Sequence, residues 1–509
     1  MIVLDGNSLT LEDVVAVARK GEKVELDSKA IEAVNKSRKI VDDIVESQRV
    51  VYGVNTGFGS LCRVSISAED TAQLQENLIR THSTGFGEPF KEDVVRAIIL
   101  IRINSLLKGN SGIRLSTVEH LIAMLNANVV PHIPEKGSLG ASGDLAPLSH
   151  MVLPMLGLGR AYYEGELMSG KEAMEKAGLE IIELSAKEGL ALINGTTVLT
   201  AVGALATYDA IQLLKLSDVA GALSLEAHNG IHDAFKEGLH TIRNHAGQVA
   251  TAKNIRTLIE GSQYTTPQTK ERVQDAYTLR CMPQIHGASK DSVAYVKTKV
   301  EIEINSVTDN PIITAEGDVI SGGNFHGEPM AQPFDFLGIA VAEIGNVSER
   351  RIERLVNNQL SGLPSFLVKH PGLNSGFMIT QYAAAALASE NKILAHPASV
   401  DSIPSCENQE DFVSMGTIAA RTAAQILDNS RRIVATEIMA ACQAIDLKEQ
   451  ATGLGKGSQT AYDFVRQHLD FIELDKDVEM YDELNKATEL IEDDSLIEVV
   501  EKAVTLNIQ

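Results

Sequence analysis

Residues Thr417 to Leu447 read TIAARTAAQILDNSRRIVATEIMAACQAIDL, without a proline or a glycine. Proline would delete a backbone donor, and glycine would raise the entropic cost of ordering the chain. An uninterrupted helix of ~31 residues would reach ~46 Å at 1.5 Å per residue. Phe334 to Asn358 and Met378 to Ala395 read as further long helices. Alanine-rich faces let such helices approach closely, so the pattern predicts a bundle. The expected fold class is mainly α, built on a long central helical bundle.

Composition points the same way. Aromatic residues are 4% of the chain and Trp is absent, so the core must be aliphatic, which favours helix over a β-sandwich. The 509 residues suffice for a large core and two or three structural regions. Net charge is −23, which repels phosphate backbones and anionic lipid, so neither nucleic acid nor a membrane is an expected partner. Cys62, Cys281, Cys406 and Cys442 are far apart, with no CxxC pair and no nearby His pattern. That spacing argues against a disulfide framework or a zinc cluster. The N-terminal stretch MIVLDGNSLTLEDVV has acidic residues where a signal peptide needs a basic start. No run of eighteen apolar residues is evident, and a reducing cytoplasm is the expected compartment.

Working back towards the N-terminus, helical patterns cover Glu92 to Leu107, about Ala68 to Ile79, and Ser37 to Val51. A short strand and then a helix starting at Ser8 to Asp13 open the chain. Residues 161–183 form a small polar, Gly-containing region that suits a hairpin. The last ~40 residues alternate acidic and apolar positions, as amphipathic helices with a solvated face do. The character of the chain changes after Asn194, which divides it into residues 1–195 and 196–509.

Two irregular segments interrupt the first part. Tyr52-Gly53-Val54-Asn55-Thr56-Gly57-Phe58-Gly59 holds three glycines in eight residues, a loop that needs unusual dihedrals or close backbone approach. The second is Gly137-Ser138-Leu139-Gly140-Ala141-Ser142-Gly143-Asp144-Leu145-Ala146-Pro147-Leu148-Ser149-His150. Small residues let its backbone be compressed. If the Gly143 amide nitrogen is pressed onto the Ala141 carbonyl carbon, a five-membered ring can close. Loss of two waters would leave an imidazolone with Ser142 converted to an exocyclic methylidene, an electrophile that ordinary side chains lack. A Gly-rich turn before a helix capped by Asp144 explains the same string more simply. A serine nucleophile elbow does not, because GxSxG fails at Asp144.

That second segment resembles the signature of the histidine, phenylalanine and tyrosine ammonia-lyases and their aminomutase relatives. The resemblance runs in order from the first residues to about residue 450. It implies a 4-methylidene-imidazol-5-one (MIO) group formed autocatalytically from Ala141, Ser142 and Gly143, with no organic cofactor and no catalytic metal. It also implies a smaller MIO-bearing N-terminal domain and a homotetramer whose active sites take loops from several subunits. The implied reaction is non-oxidative loss of ammonia from L-histidine to give trans-urocanate, the first step of histidine degradation. A tyrosine or phenylalanine ammonia-lyase or 2,3-aminomutase is the alternative.

Site roles carry over onto matching positions. Tyr52, in the segment similar to YGxNTGFG, would be the base that takes a β-proton. Thr81-His82 stands where the family selects the side chain, and a His there leans to histidine. Asn194, in Ile193-Asn194-Gly195-Thr196, would touch the oxygen of the electrophile. Gln274-Asp275-Ala276-Tyr277-Thr278-Leu279-Arg280-Cys281 resembles QDAYSLRC. Arg280 would bind the substrate carboxylate, since guanidinium pairs bidentately with it, and Gln274 and Tyr277 would line the same site. Phe325, in Gly322-Gly323-Asn324-Phe325-His326-Gly327, would pack beside the electrophile. Glu410, in Asn408-Gln409-Glu410-Asp411, would meet the imidazole or amine. One departure stands next to it: Phe412 replaces the His of the usual NQEDHVSM. Gly453-Leu454-Gly455-Lys456-Gly457-Ser458 only faintly resembles a phosphate loop, because Gly follows the Lys.

Overall fold

The computed structural model describes residues 1–57, 59, 66–67, 70–449, 451–472 and 476–509. Phe58 and Cys62 lie outside the described residues. The fold is mainly α, and the strands among the described residues are two to four residues long.

The opening strand Ile2–Leu4 pairs in parallel with Val24–Leu26, and the helix Leu11–Lys20 connects them. Thr10 and Asp13 form a reciprocal capping box at its start, and Gly21 ends it in the left-handed region at φ 68°. The second helix runs Ser28–Glu46, starting earlier than Ser37 because the Asp27 carboxylate accepts from the Lys29 and Ala30 amides. The next spans Thr71–His82, and the one after it Glu92–Leu107, as expected for that stretch. From Val95 to Leu107 every residue of this helix is buried, so no polar face marks it. The expected hairpin pairs Arg160–Tyr163 with Glu166–Ser169. Its turn residues Glu164 and Gly165 both have positive φ, 50° and 81°, matching the strand twist.

The longest helices are Thr197–Ala227, Met282–Glu303, Glu328–Val356 and Gly416–Leu447. Glu328–Val356 starts before Pro333, which the helix holds inside its second turn. Thr197–Ala227 has an 18-residue window of mean hydropathy 1.4, long and apolar enough on average to cross a membrane, although polar residues interrupt it and no run of eighteen apolar residues occurs. That window is 78% buried, so its apolar surface is spent on the core.

The chain divides into two compact units. The first holds residues 1–208, 297–335 and 397–421. It therefore does not end near residue 195: the segments carrying Phe325 and Glu410 fold with the segment carrying Ser142. The second holds residues 209–296, 336–396 and 422–509. Within it, helices meet around buried ions. Arg351 Nε and Nη2 donate to the two oxygens of Glu437 at 2.6 and 2.9 Å, and Ser224 and Ser348 add 2.7 Å bonds to the same carboxylate. Asp218 takes His286 Nδ1 at 2.8 Å and Lys290 Nζ at 2.5 Å. All five charged or titratable groups are completely buried.

Gly455, in the stretch faintly resembling a phosphate loop, precedes the helix Lys456–His468. Its amide donates to the Glu226 side chain at 2.7 Å, so a carboxyl group already holds the place a phosphate would take.

Candidate active site

The tripeptide Ala141-Ser142-Gly143 lies between the strand Pro134–Lys136 and the helix Leu145–Val152. Gly140 and Gly143 both have φ +72°, and a Cβ on Gly143 would overlap the Gly195 carbonyl. Backbone bridges join Gly143 to Gly195 and Ala141 to Gly143, so the two residues a ring would link are held against each other. The Asp144 amide donates to Gly195 O at 2.7 Å.

Asp144 does not cap the helix that follows it. Its buried carboxylate accepts the Val198 and Leu199 amides at 2.9 and 2.8 Å, at the start of Thr197–Ala227, and the hydroxyls of Ser138 and Thr417. Burial pushes its pKa up, against the pull of those four donors. The loop carrying the tripeptide is thereby tied to a second helix by one side chain.

Asn194 Nδ2 donates to Ser142 O at 3.1 Å, while its buried Oδ1 has no hydrogen-bond partner. The Asn194 carbonyl is itself held by Arg102 Nη1 at 2.9 Å, and Arg102 Nη2 reaches Ala191 O. Arg102 is wholly buried; burial lowers its pKa to about 10, with the charge of Asp309 opposing. Asp309 in turn pairs with buried Lys187 at 2.8 Å.

Glu410 approaches from the other side. Its Oε1 accepts the Ser142 hydroxyl at 2.9 Å and its Oε2 accepts the Ser405 hydroxyl at 2.8 Å. Between these two residues, Cys406, Glu407 and Asn408 all adopt left-handed φ, 48°, 55° and 64°. Such a run in non-glycine residues costs ~1–2 kcal/mol each and turns the chain sharply enough to aim the carboxylate.

A cavity of about 420 Å³ collects Tyr52, His82, Ser142, Asn194 and Glu410 on its wall. The Tyr52 hydroxyl accepts the Gly59 amide at 3.3 Å. Its loop is pinned by Asn55, which bonds the Val51 amide and the Arg49 carbonyl, and by Val54, buried against Val41, Ile44, Ala186 and Ile313. His82 is the last residue of Thr71–His82, and burial depresses its pKa, partly countered by the charge of Glu410. Leu74, Asn77, Leu78 and Thr81 bring one face of that helix to the same wall. A smaller cavity of about 220 Å³ lies along residues 137–146 and shares Thr81, His82, Ser142 and Leu145.

The remaining predicted residues are elsewhere. Gln274, Tyr277 and Arg280 belong to the second unit, where Gln274 and Arg280 line a separate depression of about 640 Å³. The Arg280 guanidinium stacks 4.7 Å over the Tyr277 ring, and its buried Nε has no hydrogen-bond partner. Tyr277 is 70% exposed. Phe325 is half-buried and does not line the 420 Å³ cavity. Neither does Phe412, whose ring is 59% exposed and stacks on His326 at 6.1 Å. Among the described residues no group of three His, Cys, Asp or Glu side chains is placed to hold a metal ion.

Several contributors escaped the sequence reading. Asn77 was findable, four residues before Thr81 on one helical face. Arg102 was findable too, as a charge inside an otherwise apolar helix. Ser405 and Cys406 depend on a left-handed turn of non-glycine residues, for which no sequence signal exists.

The cavity thus combines a phenol, an imidazole, a carboxylate and a side-chain amide around Ser142 of the Ala-Ser-Gly tripeptide. Comparison with known proteins agrees. The family model for aromatic amino acid lyases matches residues 9–467. A histidine ammonia-lyase of Streptococcus sanguinis strain SK36 is 77% identical over 509 residues, covering 100% of this chain and 99% of the relative. The tyrosine aminomutase of Streptomyces globisporus has the same fold, with a TM-score of 0.96 and 37% identity over 100% of both chains. The histidine ammonia-lyase of Trypanosoma cruzi superposes with a TM-score of 0.92 and 41% identity, over 99% of this chain and 95% of that one. A family model over most of the chain, a matching fold and a matching sequence lead to one statement: the chain belongs to the aromatic amino acid lyase family.

Proposed function

We propose that this chain is a histidine ammonia-lyase that converts L-histidine to trans-urocanate and ammonia. The observation that carries the reading is the presentation of Ser142 between Asn194 and Glu410, on a cavity whose wall also holds Tyr52 and His82. The 77% identity to a streptococcal histidine ammonia-lyase supports the substrate.

Ala141, Ser142 and Gly143 fit the precursor of an MIO group. Gly143 has the positive φ and the clash-free face that close approach demands, and it is bridged to Ala141. That group, once formed, supplies an electrophile that makes the substrate amine a good leaving group. The chain's own residues do the rest. Asn194 directs its amide N–H at the Ser142 carbonyl oxygen, where it stabilises negative charge. Tyr52 takes the β-proton. His82 and Glu410 hold the imidazole, one as a hydrogen-bonding ring and one as an acceptor for its N–H. Burial lowers the His82 pKa and so favours the neutral ring, which suits hydrogen bonding to an imidazole.

Arg280, with Gln274 and Tyr277, binds the substrate carboxylate, and Phe325 packs beside the electrophile. We infer a homotetramer in which loops from several subunits complete each site. The widely spaced cysteines suit a reducing cytoplasm.

A second reading, an aromatic lyase or 2,3-aminomutase, draws on the fold shared with tyrosine aminomutase. Phe412, where histidine lyases usually carry His, lends it no support, because that ring stands outside the cavity lining. Incubation of the purified protein with L-histidine, L-tyrosine and L-phenylalanine separates the two. The proposal expects the ultraviolet band of urocanate and ammonia to rise together with L-histidine alone. Consumption of tyrosine or phenylalanine with histidine untouched would overturn it.

A further inference from the structure

The hydrogen bond from Ser142 Oγ to Glu410 Oε1, 2.9 Å long, joins residues 268 positions apart. Its donor is the oxygen that maturation of Ala141-Ser142-Gly143 must expel. The contact therefore belongs to the unreacted chain and cannot survive in the mature one. Glu410 is also aimed with care before maturation. Ser405 and Glu410 exchange both backbone hydrogen bonds, at 2.9 and 3.3 Å, and the Ser405 hydroxyl fixes Oε2 at 2.8 Å. The left-handed run Cys406 to Asn408 is the strained turn that makes this possible.

Two polar groups next to the tripeptide in the chain or hydrogen-bonded to it are committed elsewhere. The Asp144 carboxylate is buried and takes four donors. The Asn194 amide addresses the Ser142 carbonyl, not its hydroxyl. A hydroxyl leaves a saturated carbon poorly unless a proton reaches it as the bond breaks.

We propose that Glu410 is the general acid that expels the Ser142 hydroxyl as water during maturation, before the site meets any substrate. The inference rests on reading the tripeptide as an MIO precursor. In its carboxylic acid form, Glu410 sends its proton along the same 2.9 Å line in the opposite direction. The Cα–H bond of Ser142 breaks and its electron pair forms the Cα=Cβ double bond. The Cβ–Oγ bond breaks, and Oγ leaves as water carrying the Glu410 proton. The Cα proton passes to solvent water, from which Glu410 is reprotonated, so the net loss is one water. With its donor gone, Oε1 is released into the cavity as an acceptor for substrate. One carboxylate thus serves twice, and Ser405 is the positioning residue for the first task.

The test follows the mass of the Ser142 peptide during cell-free synthesis of the full chain. In the wild type, loss of two waters is the expected end point; a peptide that loses none would sink the precursor reading itself, separately from this inference. In Glu410→Gln, whose amide is no acid, the second water should leave about 100-fold more slowly, so a species short of one water accumulates. Loss of both waters at the wild-type rate in a folded Glu410→Gln protein would overturn the proposal. Circular dichroism reports folding. Should that variant fail to fold, Ser405→Ala keeps the acid but frees it to rotate. It should slow the second loss about threefold or more, and an unchanged rate would overturn the proposal equally.

Discussion

Two groups of buried charges in this chain do opposite things. In the second unit, Asp218, His286, Lys290, Arg351 and Glu437 are sealed from solvent and answer one another: each carboxylate oxygen has a donor, and each cation has an anion. In the first, Arg102, Asp144, Lys187 and Asp309 are equally buried, but Arg102 donates to backbone carbonyls and Asp144 divides its bonds between two backbone amides and two hydroxyls. They shape a loop whose neighbours Ser142, Asn194 and Glu410 stay open to a cavity. Burial alone therefore does not mark a functional site. The mark is a buried charge holding strained backbone next to polar atoms left incompletely paired, such as Asn194 Oδ1.

The contrast predicts which variants lose chemistry and which lose stability. Ser142→Ala should abolish turnover while leaving circular dichroism and the melting transition unchanged; retained turnover would break the comparison at its root. Next comes the sealed group. Arg351→Met strands the Glu437 charge and should cost ~3–5 kcal/mol of unfolding free energy, read by denaturant titration, with little change in kcat per folded molecule. A loss of kcat without a loss of stability would contradict the assignment. Asn194→Ala, on the open side, should lower kcat about 100- to 1,000-fold, which corresponds to ~2.7–4 kcal/mol, with melting nearly unchanged.

The most gradual effect, spread over more than two pH units, concerns stability against acid. His228, in the second unit, is held at about 4 by burial, with Lys448 and Arg354 adding repulsion. Between its ordinary 6.5 and 4, the unfolded chain binds a proton that the folded chain refuses. Stability thus falls as pH is lowered through that window, by ~1.4 kcal/mol per pH unit for one such proton. Replacing His228 by Gln should flatten that acid limb by up to one proton, and an unchanged slope would show that other groups govern it.

Much of this was legible from residues alone, for physical reasons. The helices Glu92–Leu107 and Gly416–Leu447 announce themselves by long stretches free of helix breakers. The helix Ser28–Glu46 was misjudged because its start is set by one capping carboxylate, Asp27, rather than by periodicity. Motif residues Tyr52, His82, Ser142, Asn194 and Glu410 meet on one wall although up to 358 positions separate them, since a short motif is a backbone shape as well as a set of side chains. Position in the fold was less legible. No local pattern indicated that residues 297–335 and 397–421 return to the first unit, or that Phe412 turns onto His326 and away from the cavity. Both outcomes depend on tertiary packing, and a single chain read in order does not display it.

Everything proposed for the site depends on chemical conversion of Ala141-Ser142-Gly143. Mass spectrometry of that peptide from the purified wild-type protein tests it most directly. The expected peptide is lighter by two waters than its sequence requires; an intact, unmodified tripeptide in an active enzyme would show that no conversion takes place.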